Sequence, residues 1–345
     1  MITPELIRSK DARPEGQINL WMERGFSRRE IATRVKSAVP RISLFSTPQQ
    51  PIDNTEILAF PVAKTPEAIN AINTSIRENN IDVVWPQQSA FYDLTDIEAE
   101  VHAAAYPDTM RLVDDKTAFM EWLGNDQYRP FSAEAVGVTA IHNEFFRRHQ
   151  QGHEVCIKPV IGVNGEGYWR LSETAGISLL NNPEQRTIHP DVYMEALAIE
   201  EEEKGPQRMV LMDYLPGPEV SVDLLTWNGE PLIHAARTKS ATEPKQRIQS
   251  EHEVTEHSHD LARRLGFHGI ISLQYRLDTE GNWKILEINP RPAGGSTHSE
   301  DAGFQIISNW AKLVARDIEP EDVRQHQGDV TLVSRPRWIV ENPTI

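Results

Sequence analysis

The stretch GIISLQYRLDTEGNWKILEINPRPAGG (Gly269–Gly295) holds the residues best suited to chemistry. Read as an extended strand, it puts Ile285, Glu287 and Asn289 on one face and Leu286 and Ile288 on the other. If Asp278 lies opposite Trp283 across the turn Thr279–Asn282, Gln274 falls directly opposite Glu287. That register gathers an amide oxygen, a carboxylate and a second amide oxygen. Such a set suits Mg²⁺, which prefers hard oxygen donors and keeps phosphates in its shell. Pro290 stops the strand, and Arg291 emerges beside the donors, where its charge can neutralise a transferring phosphoryl group. The plain alternative is a surface hairpin. Yet Glu and Asn within a strand of otherwise apolar type run against strand propensity and call for a reason.

Three further segments carry related chemistry. In IKPVIGVNGEGYW (Ile157–Trp169), Lys158 precedes a loop spaced by Gly162, Gly165 and Gly167. Glycines let backbone N–H groups close over phosphate oxygens, and the lysine adds a point charge. The Walker pattern GxxxxGK[ST] occurs nowhere. In LMDYLPGPEVSVD (Leu211–Asp223), the backbone of Asp213, Tyr214 and Leu215 can meet an adenine edge, and Glu219 can accept from ribose hydroxyls; a plain crossover between domains is the simpler reading of that segment alone. Asp115-Lys116 opens an amphipathic helix, which sets Lys116 at an N-terminus favourable to anions.

These segments need a frame. Gln17–Met22, Arg41–Ser46, Glu56–Val62 and Ile81–Pro86 read as strands and Pro66–Glu78 as a helix, while Ser27 and Glu30 form a capping box for a helix after the first strand. This alternation predicts a parallel sheet of βαβ units, a Rossmann-like α/β domain. No GxGxxG follows its first strand, so nothing loads it with a dinucleotide. From about Asp114 the texture changes to helices Lys116–Leu123 and Ala140–Gln151 and three antiparallel pairs: Glu154–Val160 with Gly167–Leu171, Glu219–Trp227 with Glu230–Thr238, and Ile271–Leu277 with Asn282–Asn289. That mixture predicts an α+β module.

Composition sets the bounds. The 345 residues are 39% hydrophobic and 25% charged, with a mean hydropathy of −0.49, a globular profile with room for two or three domains. No apolar run is long enough to span a bilayer and the first residues lack a signal-peptide core, so neither membrane nor export is expected. The single cysteine, Cys156, leaves no disulfide framework and fits a reducing cytoplasm. With 35 basic against 51 acidic residues, the net charge of −16 repels phosphodiester backbones, so nucleic acid is not an expected partner. Glu200–Glu203 reads as a solvated helix end.

Taken together and in this order, the motifs resemble the ATP-grasp superfamily, and most of all the ATP-binding domains of the carbamoyl-phosphate synthase large subunit. The resemblance covers roughly residues 110–315. It implies a pre-ATP-grasp Rossmann-like domain over 1–113 and an ATP-grasp domain over 114–345, with about 154–215 as the small lid carrying the glycine loop. Lys116 and Lys158 resemble the two phosphate-binding lysines; Gly162, Gly165 and Gly167 the flexible loop; Asp213, Tyr214 and Leu215 the adenine hinge; Glu219 the ribose acid; Gln274, Glu287 and Asn289 the magnesium ligands; and Arg291 the catalytic arginine. Asp213 departs from the usual Glu of the hinge, while Gln274 is a variant that the synthase branch accepts. Trp21, Gly25-Phe26-Ser27 and NPRPAGG also resemble stand-alone synthase-like ATP-grasp proteins, some from tellurium-resistance gene clusters.

The resemblance implies a ligase using ATP and Mg²⁺, with Mn²⁺ as a substitute, that activates a small carboxylate as an acyl phosphate for an amine or similar nucleophile. Arg237 and Lys239 are the catalytic candidates beside Arg291, with Arg247, Ser296, Thr297 and His298 as further substrate contacts. Partners are then small molecules, in the cytoplasm, with a homodimer as an open option. The alternatives are a carbamate or other small-molecule kinase, a non-catalytic ATP-binding subunit, and a zinc enzyme using His252, His257 and His259. The five-residue step from His252 to His257 misses the i,i+4 spacing that a helical zinc site needs. Cys156, in a strand beside Lys158, reads as core packing rather than a nucleophile.

Overall fold

A computed structural model describes residues 16–23, 28–46, 55–57, 66–87, 94, 96–162, 165, 167–176, 185–240 and 244–334. The chain divides into two compact units interleaved in sequence. The first comprises residues up to Tyr106, Pro218–Leu273 and Asn289 onward; the second comprises Pro107–Gly217 and Gln274–Ile288.

In the first unit, five strands form a parallel sheet in the order β3-β2-β1-β4-β5: β1 (Ile18–Met22), β2 (Ile42–Ser46), β3 (Thr55–Ile57), β4 (Val83–Trp85) and β5 (Glu100–Val101). Both faces of β1 are covered, and Ile18, Leu20, Trp21 and Met22 are buried while Asn19 is half-buried. Leu20 and Met22 join Ile31 and Val35 of helix α1 (Arg29–Ala38), while Trp21 joins Ile72 and Ile76 of helix α2 (Pro66–Glu78). The expected capping box is not formed as read. Ser27 lies outside the described residues, the cap position is Arg28, whose side chain makes no capping bond, and Glu30 instead accepts from the Thr297 hydroxyl at 3.1 Å. Of the expected strand Glu56–Val62, residues 58–62 also lie outside the described residues.

The second unit carries a sheet in the order β6-β10-β7-β8-β9, built from β6 (Ser132–Val136), β7 (Val155–Pro159), β8 (Trp169–Leu171), β9 (Thr187–Ile188) and β10 (Arg208–Asp213). Its pairs are antiparallel except β8 with β9. Helices α3 (Pro107–Asp114) and α4 (Lys116–Leu123) precede it. Helices α5 (Val138–Gln150) and α6 (Pro190–Lys204) pack Ile141, Phe145, Met194 and Leu197 onto Ile157 and Leu211. The acidic run does end α6 in solvent, and one of its members also caps α5, since Glu201 accepts from the Val138 amide at 2.7 Å.

A third sheet runs β15-β14-β11-β12-β13-β16, from β11 (Glu219–Trp227), β12 (Glu230–Lys239), β13 (Lys245–Gln249), β14 (Gly269–Leu277), β15 (Trp283–Asn289) and β16 (Asp329–Val333). Helices α7 (Thr255–Leu265), α8 (Ser296–Asp301) and α9 (Ile306–Ala315) complete the first unit. There Trp310 of α9 stacks on Trp85 with ring centres 3.7 Å apart.

Beside that stack lies a buried relay whose proton positions are fixed by one backbone group. The Asn228 amide donates to His268 Nδ1 at 3.2 Å, so the His268 proton sits on Nε2 and is given to His102 Nδ1 at 3.0 Å. His102 must then donate from Nε2 to Glu100 at 2.8 Å, and Arg316 completes that carboxylate. Burial, with His102 alongside, pushes His268 well below its ordinary pKa of 6.5. The unfolded chain therefore binds more protons below that value, and stability falls as pH falls, by at most about 1.4 kcal/mol per unit for one group. Urea unfolding at pH 7.5 and 5.5 should show this loss. His268→Gln should be weaker at pH 7.5 but have a shallower pH slope; an unchanged slope would show that another group is responsible.

Candidate functional site

The second unit brings four of the expected residues together. Lys116 opens α4 and is buried; its Nζ donates to the carbonyls of Gly162 at 3.0 Å and Val160 at 3.3 Å. Burial lowers its pKa, and the Lys158 ammonium lowers it further. Glu287, Asp114 and Asp115 pull the other way. Two ammonium groups and the Glu287 carboxylate thus share one electrostatic neighbourhood at the root of the glycine loop. Like charges held together in a partly buried place are relieved by a polyanion.

The N-terminus of α4 takes no part as an anion cradle, contrary to the expectation. Asp115 Oδ1 already accepts from the amides of Thr117 and Ala118, and the Lys116 amide donates to Val160. Only the Lys116 side chain remains as the cationic element. In the loop, Gly165 and Gly167 have φ near +67° and +68°, a region L side chains rarely adopt, and a Cβ on Gly167 would stand 2.7 Å from the Pro159 ring.

The hinge residues sort by donor. The amides of Asp213 and Tyr214 donate to Phe131 and Glu154 carbonyls at 3.3 and 2.9 Å. No backbone acceptor for the Leu215 amide is found among the described residues. The Asp213 carboxylate is bonded to Arg148, whose guanidinium lies 3.6 Å from the Phe131 ring centre. The Asp213 side chain thus serves the frame of the second unit. Arg276, which carries no signal in the sequence, clips the next turn by donating to the Gly217 carbonyl at 3.0 Å.

The hairpin that carries the oxygen donors departs from the assumed register. The Asp278 amide donates to the Asn282 carbonyl at 2.9 Å and the Gly281 amide to Asp278 at 3.3 Å, with Gly281 at φ +85°. This is a three-residue turn rather than a four-residue one. Burial along β15 is also not that of a regular two-faced strand: Ile285 and Ile288, three apart, are buried, and Glu287 and Asn289 are half-buried. Gln274 is half-buried on β14, and Asn289 lies two residues beyond Glu287 on β15.

The first unit holds the remaining candidates. Arg291 is buried, with its amide bonded to the Asn289 carbonyl at 2.7 Å. Glu219 and Lys239 are cross-strand neighbours on β11 and β12, joined at 3.3 Å. Arg237 differs from its expected part. It is 1% exposed, and its guanidinium holds the fully buried Asp223 at 3.2 and 3.4 Å. Ser296 and Ser299 of α8 donate to the same carboxylate at 3.0 and 2.8 Å. An acid inside the apolar run EVSVDLLTW was the available signal for Asp223. Of the other substrate contacts, Thr297 serves Glu30, Arg247 pairs with Asp329 at 2.8 Å, and His298 Nδ1 meets Gln246 Oε1 at 3.1 Å.

Cys156 is inert: burial pushes its thiol up to about 11. His259 pairs with His234 rather than with His252 or His257, and among the described residues no three His, Cys, Asp or Glu side chains gather as a metal site.

Residues 205–335 match the family model described as "ATP-grasp in the biosynthetic pathway with Ter operon". Comparison of the sequence with curated proteins finds no match. Among solved structures, the chain is similar to the L-amino acid ligase of Bacillus licheniformis (14% identity, 91% of this chain and 78% of that one, TM-score 0.59). It is similar to the carboxyaminoimidazole ribonucleotide synthase of Aspergillus clavatus complexed with ATP (13%, 91% and 81%, 0.60). It also resembles the biotin carboxylase domain of Hydrogenobacter thermophilus 2-oxoglutarate carboxylase in complex with MgADP and bicarbonate (16%, 90% and 73%, 0.60).

The buried Asp223–Arg237 pair can be tested without any ligand. Asp223→Ala leaves a guanidinium buried without its counter-charge, at a cost of about 3–5 kcal/mol. Urea unfolding should show that loss, and the double variant Asp223→Leu/Arg237→Met should regain most of it. A single variant within about 1 kcal/mol of the parent would mean that water reaches the guanidinium.

Proposed function

Taking the ATP-grasp fold of this chain as the premise, we propose that it is an ATP- and Mg²⁺-dependent ligase that activates a small carboxylate as an acyl phosphate for attack by an amine or similar nucleophile. The observation that carries this reading is the cluster of Lys116, Lys158 and Glu287 at the root of the glycine loop. Two cations and one carboxylate there suit a triphosphate and its metal better than any neutral ligand.

The roles follow from chemistry. Lys116 and Lys158 neutralise phosphate oxygens, and Gly162, Gly165 and Gly167 let the loop close over them. Leu215 donates to the base, and Glu219 accepts from ribose hydroxyls. The donor set Gln274, Glu287 and Asn289 is all oxygen, without sulfur or imidazole, and so fits Mg²⁺, which when bound supplies further charge neutralisation at the phosphates. Arg291 offsets charge on the γ-phosphoryl group as it passes to the carboxylate oxygen, a reaction that depends on positioning and electrostatics. Arg237, enclosed with Asp223, supports this machinery from beneath, and Lys239 takes over the contact with an anionic substrate. We assign residues 1–113 to a Rossmann-like pre-ATP-grasp domain, 114–345 to the ATP-grasp domain and about 154–215 to its lid. The partners are small molecules in the cytoplasm. No described helix is long and apolar enough to cross a membrane.

ATP with Mg²⁺ should raise the melting temperature, a stabilisation of about 2.7 kcal/mol at one hundred times Kd. Lys158→Ala should shrink that shift severalfold, whereas a full shift would take the lysine off the phosphates. Glu287→Gln should abolish Mg²⁺-dependent ADP release while leaving the unliganded melting temperature near that of the parent; undiminished release would remove Glu287 as a ligand. An ADP-release screen over amino acids, dipeptides, bicarbonate and small carboxylates, with mass spectrometry of the product, separates ligase from kinase. Failure of ATP to bind at all would end the reading.

A further inference from the structure

In the parallel sheet of the first unit, β1 lies at the centre with β2 on one side and β4 on the other. Met22 is level with Ser46 on β2 and with Trp85 on β4. Where the chain leaves a central strand to opposite sides, a crevice opens outside the carboxyl ends of the strands, and open α/β sheets take their ligands there. Neighbouring strands lie about 4.8 Å apart, so the ends of β2 and β4 stand about 10 Å from each other across β1.

Two side chains at that edge are enclosed and have no hydrogen-bond partner among the described residues. Gln87, two residues beyond Trp85, is 1% exposed, and neither its Oε1 nor its Nε2 is bonded. Ser46, the last residue of β2, is fully buried with its Oγ also unbonded. Leu44, two residues earlier, packs with Leu20, Met22 and Trp85, which sets Ser46 on the same face of the sheet as Trp85. The Gln87 main chain, by contrast, is held. Its amide donates to the Glu23 carboxylate at 2.5 Å, and the Glu23 amide donates to the Trp85 carbonyl at 3.2 Å.

Buried amides are nearly always paired, because an unpaired one has given up its bonds to water for nothing. Asn73 shows the ordinary case. It is buried too, yet its Nδ2 donates to the Asp96 carbonyl at 2.7 Å and its Oδ1 accepts from the Glu98 amide at 2.9 Å. Gln87 has a fixed main chain and an unused side chain, the reverse of a framework residue. Its carboxamide sets an acceptor beside two donors and carries no charge. The complement is an N–H group beside a C=O group on one edge of a ligand, which takes both bonds at once. A carboxylate would set a second acceptor against the amide oxygen, with the Glu23 carboxylate opposing it from the same edge. An ammonium group would leave the Gln87 N–H groups unpaired.

We infer that the carboxyl edge of this sheet binds a small uncharged ligand by such an amide-type edge, as in a carboxamide, a lactam or a pyrimidine. Gln87 makes the paired bonds, and Ser46 adds a third across the end of β1. The inference is independent of the ligase reading, and binding is read without nucleotide.

Saturation-transfer NMR on the full chain would compare uracil, pyrrolidone and propionamide with their fully N-methylated counterparts and with propionate. At least one of the three should bind, with its methylated counterpart and propionate each at least tenfold weaker. Gln87→Leu should weaken that probe at least tenfold. It should also raise the melting temperature of the unliganded protein, because it replaces an unpaired buried amide by an apolar group of similar size. Ser46→Ala should weaken the probe without lowering the melting temperature. No probe bound, a methylated probe bound equally well, or full binding by Gln87→Leu would overturn the assignment. So would a Gln87→Leu protein that melts below the parent, since its amide would then be serving the fold. If a probe binds as expected while ATP does not, this site stands and the ligase reading falls.

Discussion

The functional half of the second unit depends on keeping two lysine ammonium groups within range of one another in a place from which water is largely withdrawn. Burial and Lys158 both act to lower the pKa of Lys116, and Glu287 with its acidic neighbours opposes them. A protein tolerates such an arrangement when something else holds the groups in place. Here Lys116 is fixed by two carbonyls at the root of the glycine loop and by a helix start that Asp115 caps. Lys158 is fixed by its position in β7, paired with β10 opposite Val210. Both side chains thus start from fixed backbone.

The other buried cations show the contrast. Arg148 is matched by Asp213 and lies on the Phe131 ring, and Arg237 is matched by Asp223. These guanidinium groups have partners of opposite sign and planar geometry, so they contribute to a fixed frame. Charges satisfied within the chain build the scaffold; charges set against each other mark the place a ligand completes. The distinction separates Arg237 from Lys158 although both sit in strands of similar texture.

Much of this was legible in the sequence wherever local chemistry decides. Helices Pro66–Glu78 and Lys116–Leu123 and the strand Glu219–Trp227 have the limits their patterns predict, because proline, Asp115 and the Pro-Gly-Pro turn act on their own neighbours. Lys158 and Glu287 were legible as charged residues in apolar strands, and Lys116 as the start of a helix. Long-range facts were not. The turn at Asp278 depends on Gly281 adopting φ +85°, which shortened it by one residue. Ser27 and Glu30 fit a capping pattern, yet the partner of Glu30 is Thr297, far away in sequence. Strands β13 and β16 were missed because KQRIQ holds one apolar residue and both are held by long-range pairing, β13 with β12 and β16 with β13.

Asp223 then explains why the parallel sheet belongs with the arginine that follows β15. From β11, this one carboxylate gathers Arg237 of β12 and Ser296 and Ser299 of α8, so the start of α8 is tied to the strands beneath it. A Cβ on Gly295 would stand 2.5 Å from the Arg237 guanidinium, so the segment approaches as closely as backbone can. On its other side, α1 supplies a second grip: Arg28 donates to the Pro292 carbonyl, Glu30 accepts from Thr297, and Arg34 pairs with Asp301. Arg291 sits within the segment that these two sets of bonds bracket. A guanidinium that must meet charge only as it develops gains from being held before the reaction begins, since no reorganisation is then required. Helix α1 and the residue before it therefore anchor the loop that carries Arg291.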